Sequence, residues 1–570
     1  MTDLMLAMSQ IAAAWLVYGL LLTGLGSLVQ RAWGTRPAKC SLDWIVAFWV
    51  GWAVCIALLQ LWHLAFPVNR WAFAVVGASG AVGLAVNWRD AASMLWHIVR
   101  HRYLLLLLTL SVALLFANLA TRAPAHYDYY LYYEKTILWL ENYRIVPGIG
   151  NLHGPLALNH ASFLFAALAN AAPFPGHGNH IAGSVLVLAL WSLPLRGLSQ
   201  LLRGERTTAV FFAVLTIPFI MWAATWNDYL HSPSADFAVM ALGMVLLLLV
   251  LLLFEDSTEL HDRRYTLVAI TVLAAAGVAT KLSFVVFALV LLLLMACVAW
   301  GDLRGRVIAA VVIIVAVFGG GWLVRGYLMS GYPAYPVATG GLPFGWQMPC
   351  NIVTTEATVL LNWSRIPFIP AANVPPFPGW VQPWFTRTWA VHRYMYVLLV
   401  VSIVMVGLRT LIRKPWPRTW LIPLCLLFPL IFWFATTPEP RFAAGTWWAL
   451  TLTVTALVAV PVAHWRGRVA VVSILCMVTL LYALTAGSIR LRTSGGLLQP
   501  RPVSVVPFTT DSGLLVFIPA NLYTLEPGSD HCTGAPLLCT PSPNPALALI
   551  EPANLQRGFQ MNVPRSCGSS

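Results

Sequence analysis

Long apolar stretches separated by short polar breaks run through most of this 570-residue chain. A helix needs about 20 consecutive apolar residues to cross the hydrocarbon core of a bilayer. On that criterion the pattern predicts about 14 spanning helices. They lie near 5–29, 43–65, 71–88, 103–119, 180–199, 207–224, 236–254, 265–279, 282–300, 307–323, 394–410, 419–435, 445–463 and 469–487. The expected fold class is an all-α polytopic membrane protein. Residues 1–487 form its transmembrane domain, with two long loops, 120–179 and 324–393, on one side. Residues 488–570 contain no span. VSVV (503–506) and LLVFI (514–518), with TDSG between them, predict a short hairpin in a small domain. A segment that short makes little core of its own, so it is expected to pack on the outer face of the membrane domain.

Composition sharpens this picture. The chain is 59% hydrophobic and 9% charged, which fits a membrane bundle and no soluble domain of this size. The net charge of +14 is not read as nucleic-acid binding, because no basic patch interleaved with aromatics accompanies it. Arg and Lys instead collect in alternate short loops: Arg31, Arg36 and Lys39; Arg89, Arg100 and Arg102; Arg196, Arg203 and Arg206; Arg263 and Arg264; Arg304 and Arg306; Arg409, Arg413, Lys414 and Arg418; Arg466 and Arg468. The positive-inside rule makes these loops cytoplasmic and contacts of anionic lipid, with both termini outside. The N-terminal MTDLMLAMSQ has no positive lead-in, so 5–29 is read as a retained span. The basic loops carry no phosphate-binding glycine motif, which argues against a nucleotide-driven engine there.

The candidate chemistry therefore lies on the opposite face. The stretch 125–159, AHYDYYLYYEKTILWLENYRIVPGIGNLHGPLALN, gathers His126, Asp128, Glu134, Lys135, Glu141, Arg144 and His153 among many tyrosines. Its first half reads as an amphipathic helix on the membrane surface, with Asp128, Tyr132 and Lys135 on one face. A carboxylate in such company suits a general base or a metal ligand. The turn IVPGIGNLHG reads as an ordinary Gly-Pro turn. TWNDYLHSPSADF (225–237) brings Asp228 and Asp236 to the same side, Asp236 also being a candidate helix cap. Lys281 breaks an apolar run, Arg325 precedes GYLMSGYPAYP with its Tyr332, and TTPEPRF holds Glu439 and Arg441 in one turn. Arginine forks and a lysine suit a phosphate; the plainer readings are snorkelling, interface anchoring and a weak Glu439–Arg441 pair. Cys532 and Cys539 are candidates for a disulfide, and no cysteine pair has zinc-site spacing with histidines.

The layout of short basic loops, a first large outward loop with an acidic residue just after a span, and later outward loops bearing Arg and Lys resembles the GT-C superfamily of integral-membrane glycosyltransferases. The strings HYDYYLYYEK, VPGIGNLHG, SPSAD, SGYPAYP, PEPRF and DHCTGAPLLCTPSPNP look like those of a bacterial branch related to it. The resemblance implies a polyprenyl-phosphate-linked sugar donor, an envelope glycan or glycolipid acceptor, and a periplasmic active site in the bacterial inner membrane. In that scheme Asp128 deprotonates or orients the acceptor hydroxyl and Asp228 assists. Lys281, Arg325 and Arg441 offset the charge on the leaving lipid phosphate, with Lys135, His153, Asp236, Tyr332 and Glu439 around the substrate. Some members use a divalent metal, for which Asp128, Asp228 and a histidine would be the ligands. The chain departs from the pattern in having no acidic neighbour of Asp128 before Glu134 and three spans ahead of the usual first. The rival expectations are a flippase for a lipid-linked sugar, which needs charges lining a route to both faces, and a non-catalytic envelope assembly protein.

Overall fold

The computed structural model describes residues 1–35, 41–367, 369–411, 415–462, 491–522, 524 and 528–563. Among these, eleven helices are long and apolar enough to cross a membrane: Thr2–Trp33, Ser41–Trp62, Tyr103–Ala120, Gly178–Leu202, Thr208–Thr225, Ala235–Phe254, Leu282–Asp302, Arg306–Ser330, Arg393–Leu411, Arg418–Thr436 and Pro440–Val460. The chain is a helical, multi-pass membrane protein with a few short strands near its C-terminus.

Fourteen spans were expected; among the described residues eleven helices pass by length and composition, or twelve if a bent pair counts as one span. That pair, Arg70–Val86 and Trp88–His101, turns by 75° at Asn87. Its second limb is amphipathic and buries no side chain, so the run near 71–88 is half of a broken element. The run near 265–279 is a helix, Arg263–Thr280, but two arginines in its first turn keep it out of the eleven. The run 469–487 lies outside the described residues.

Ala235–Phe254 and Thr208–Thr225 sit at the centre. Both are apolar around their whole circumference and buried along almost their whole length, as expected for helices with protein on every side. Their ends fix two opposite faces of the bundle. One face carries the polar pairs Arg31–Asn87 (3.2 Å), Arg263–Asp302 (2.9 Å) and Arg196–Glu259. The other receives Asp236 in the first turn of Ala235–Phe254, Lys281 just past Arg263–Thr280, and Arg441 at the start of Pro440–Val462. The start of the first helix reaches this second face too, where Met8 and Arg492 both meet Asn118.

The first long loop does not lie open on a surface. It begins with a π-helical turn, Tyr129–Tyr133, and continues as Glu134–Asn142, with Tyr129, Tyr132, Tyr133, Ile137, Trp139 and Leu140 buried. Above it sits the C-terminal segment. The hairpin is present as β1 (Val505–Thr509) and β2 (Leu515–Pro519), antiparallel, with Val505 opposite Pro519. A second pair, β3 (Leu547–Leu549) and β4 (Phe559–Met561), was not legible in the sequence. These strands share one core with the first loop and the 329–353 region, built from Trp139, Ile149, Leu152, Tyr332, Val516 and Phe559 among others. Cys532 and Cys539 form a disulfide, and Cys350 is also disulfide-bonded.

Candidate active site

Four ionisable side chains from four distant parts of the chain meet on the second face. Asp128 Oδ2 accepts from Arg441 Nη1 at 2.6 Å and from the Tyr133 hydroxyl at 3.4 Å. Lys281 Nζ donates to Asp236 Oδ1. Phe442 joins the two pairs: the Lys281 ammonium lies 4.0 Å and the Arg441 guanidinium 5.3 Å from the centre of its ring. Trp363 flanks the same guanidinium at 5.7 Å. Among the described residues no hydrogen bond reaches Asp128 Oδ1, so one carboxylate oxygen is held and the other is open. Charges this far from bulk water persist only when paired, and here each has a partner.

The local sequence explains the placement. The π-helical turn widens the backbone directly after Asp128, a distortion that often accompanies functional residues. It lets Tyr132 and Tyr133 both turn inward and pack on Phe163. Burial, together with the Asp128 charge, pushes both phenols well above their usual range, so they stay protonated donors. His126 stacks on Tyr229 and its Nε2 lies 2.6 Å from the Asn227 carbonyl, an acceptor that requires Nε2–H. Burial lowers the His160 imidazole to about 3, with Lys281 pushing the same way. Glu439 does not pair with Arg441 as the sequence suggested. It takes Arg387 at 3.3 Å and His392 at 3.8 Å, while Arg441 turns to Asp128. Burial raises the Glu439 carboxyl and lowers His392 to about 4.

A cleft leads away from the pairs. Asp236, Arg441 and Phe442 line its polar end, and Val239, Met240, Gly243, Phe284 and Phe287 line much of the rest. Its walls belong to Ala235–Phe254, the Lys281 break and Pro440–Val460.

The other expected site residues stand elsewhere. Asp228 adopts a left-handed backbone (φ 53°), unusual for a residue with a Cβ, and its Oδ1 lies 3.2 Å from His231 Nε2. It neighbours the cluster through Asn227 but does not pair with its cations. Lys135 is buried and donates to the Ala535 carbonyl at 2.6 Å, which fastens the C-terminal segment. Tyr332 is buried and donates to the Met348 carbonyl. His153 is buried with both ring nitrogens unpartnered. Arg325 bonds His63 and Asn159 in a separate cavity and makes no contact with Asp128, Asp236, Lys281 or Arg441 among the described residues. Asp236 caps nothing: Ser234 precedes the helix, and Asp236 faces Lys281 instead. His160 stands just past the edge of the stretch 125–159 that the sequence singled out, whereas Tyr133, Trp363, Arg387 and His392 went unremarked as site residues. Only the nearness of Tyr133 to Asp128 could have flagged any of these four.

Among the described residues no group of three or more His, Cys, Asp or Glu side chains is arranged to hold a metal ion. Asp128 and Asp228, the expected ligands, are turned to different partners, Arg441 and His231.

A family model described as "Domain of unknown function (DUF8201)" matches residues 8–448. The chain belongs to that family. No curated protein and no solved structure matches it. The matched region of this DUF8201 chain contains Asp128, Asp236, Lys281, Glu439 and Arg441, and ends before the strands that cover the first loop.

Proposed function

We propose that this DUF8201 protein is a membrane glycosyltransferase. It moves a sugar from a polyprenyl-phosphate-linked donor to an envelope glycan or glycolipid hydroxyl, on the periplasmic side of a bacterial inner membrane. The observation that carries this is the Asp128–Arg441 pair lying beside Asp236–Lys281 at the head of an apolar cleft. The cleft's lining of Val239, Met240, Phe284 and Phe287 is apolar, as a lipid contact needs, and the Arg441 guanidinium at its head suits a phosphate.

In this reading the donor's phosphate sits by Lys281 and Arg441, and the acceptor hydroxyl meets Asp128 Oδ1. The hydroxyl oxygen attacks the anomeric carbon from the side opposite the phosphate, forming the new C–O bond and inverting the centre. The bond to the phosphate oxygen breaks, and its electron pair leaves on the lipid phosphate, where preorganised positive charge acts most strongly. The acceptor proton goes to Asp128, whose other oxygen stays fixed on Arg441. Asp236 holds the Lys281 ammonium in position.

Binding of a long-chain polyprenyl phosphate to the protein in lipid nanodiscs tests the first half of this. Native mass spectrometry is expected to show a bound lipid on the wild type and at least about a 10-fold loss of affinity in Arg441→Gln, from removing a charged hydrogen-bond donor. Equal occupancy of wild type and variant sinks the reading.

A further inference from the structure

Arg325 is an unusual group to bury. It is 2% exposed, and no carboxylate lies within ion-pair distance among the described residues. Its partners are all neutral: Asn159 Oδ1 takes Nε–H at 3.0 Å, His63 Nδ1 takes Nη1–H at 2.7 Å, and the Met329 sulfur sits 3.9 Å from Nη2. The hydrogen bonds fix the tautomer of His63. Its Nδ1 must be the acceptor toward Arg325, so Nε2–H donates to the Tyr143 carbonyl at 3.1 Å. Burial and the Arg325 charge both push this imidazole well below its ordinary range, which keeps it neutral. A thioether is a weak acceptor, so Nη2 is poorly satisfied. A guanidinium out of water without an anion is costly.

The same guanidinium lines a cavity. Around it stand His63, His160, Thr136, Leu156 and Met329, with Arg144 exposed at the rim. Thr136 already donates to the Tyr132 carbonyl, so it is committed. His160 is not: its Nδ1 is buried without a partner. The cavity therefore offers an uncompensated fork of N–H donors, an unpartnered imidazole nitrogen and a second arginine at its entrance, and it offers no acidic side chain.

We propose that this cavity is a binding site for a small oxyanion group, a phosphate monoester or a carboxylate, with Arg325 as its principal cation and His160 as a second donor. Arginine's planar fork matches two oxygens of either group. Arg325 itself makes no contact with Asp128, Asp236, Lys281 or Arg441 among the described residues, while His160 stands between the two sites, and the proposal does not depend on the transferase reading. The anion reaches it either as a free ion or as a headgroup on a lipid.

Two preparations separate these sources: purified protein in a neutral detergent titrated with inorganic phosphate, and protein in phosphatidylcholine nanodiscs with or without phosphatidic acid. Thermal unfolding is followed, with chloride matched for ionic strength. Stabilisation by a ligand grows with its concentration over its Kd. A saturable rise in Tm of the wild type is expected with phosphate, phosphatidic acid or both, the arm that responds naming the source. Arg325→Gln is expected to weaken the apparent affinity about 10-fold or more, from loss of a charge-assisted donor. Arg144→Gln, at the exposed rim, weakens it less. If Arg325→Gln does not fold, Arg325→Lys and Arg144→Gln carry the comparison. The proposal is overturned if neither ligand raises Tm beyond the chloride control, or if the rise survives undiminished in Arg325→Gln, Arg325→Lys and Arg144→Gln.

Discussion

At the scale of single residues, this protein concentrates its charge where charge is most expensive. Asp236 and Lys281 keep only 6% and 12% of their side-chain surface. Removing one member leaves the other buried and uncompensated, whereas removing both is far milder. Lys281→Met is therefore expected to destabilise by about 3 kcal/mol, and Asp236→Asn combined with Lys281→Met to recover most of that. Thermal unfolding of the two single variants and the double variant in one detergent measures the coupling. Additive losses would show that the pair does not interact. The imidazoles give a pH dependence. Burial lowers His153 and His160 from 6.5 to about 3, so both are neutral in the fold but protonate when the chain unfolds. Between those values the unfolded state binds more protons, and stability falls as pH drops below about 6.5. Each contributes at most about 1.4 kcal/mol per pH unit. His153→Gln is expected to flatten the slope between pH 6 and pH 4 in an equilibrium unfolding series, and an unchanged slope would contradict the assignment.

Elements show how the first loop is held. Residues 127–135, which carry Asp128, are gripped from above by the loop closed by the Cys532–Cys539 disulfide. Tyr127 donates to Asp530, His531 stacks on Tyr130, the Cys532 amide donates to the Tyr130 carbonyl at 3.1 Å, and Glu134 accepts from the Gly534 amide at 3.0 Å. Further along, Gly148 (φ 64°) sits so close to β4 that an added Cβ would run into the Phe559 carbonyl oxygen. The turn that looked like an ordinary Gly-Pro corner is thus the seat of a strand. Opening the disulfide lengthens the free loop and loosens this grip. Hydrogen exchange of peptides covering 127–135 is expected to speed up several-fold in Cys532→Ser/Cys539→Ser, and unchanged protection would mean that the loop holds without its bond. Gly148→Ala is expected to unseat β4, raising exchange in residues 559–561 while leaving the bundle's exchange unaltered.

Across the whole molecule, the charged pairs divide between two ends of a bundle whose middle is apolar. Asp128–Arg441 and Asp236–Lys281 lie at one end, and Arg196–Glu259 and Arg263–Asp302 at the other. That division was legible in the sequence, because alternate loops of a multi-pass chain must fall on alternate faces. It placed Asp128, Asp236, Lys281, Glu439 and Arg441 on one side before any coordinates. What the alternation does not encode is position around the bundle. Arg325 was assigned to the same centre because it ends a span on the same side, yet its helix stands over a different cavity. Partners were equally hidden. Two residues apart, Glu439 and Arg441 looked like a pair, but successive positions at a helix start diverge, and each found a partner over 50 residues away or more. The strands β3 and β4, three residues each, carry no periodicity long enough to read. The second limb of the broken helix at Asn87 was missed because it is amphipathic and no apolar run continues past the bend.

The central claim is that Asp128 works on a substrate beside Arg441. Its most direct test is turnover of polyprenyl-phosphate-linked hexoses by protein in lipid nanodiscs, followed as release of polyprenyl phosphate. The variant to compare is Asp128→Asn, which preserves shape and the hydrogen bond to Tyr133. Wild type is expected to release the lipid phosphate with transfer of the sugar, and Asp128→Asn to lose at least about 100-fold in rate, the ordinary loss for removing a general base, both measured well below the unfolding midpoint of either protein. An Asp128→Asn protein that turns over as fast as the wild type would contradict the account.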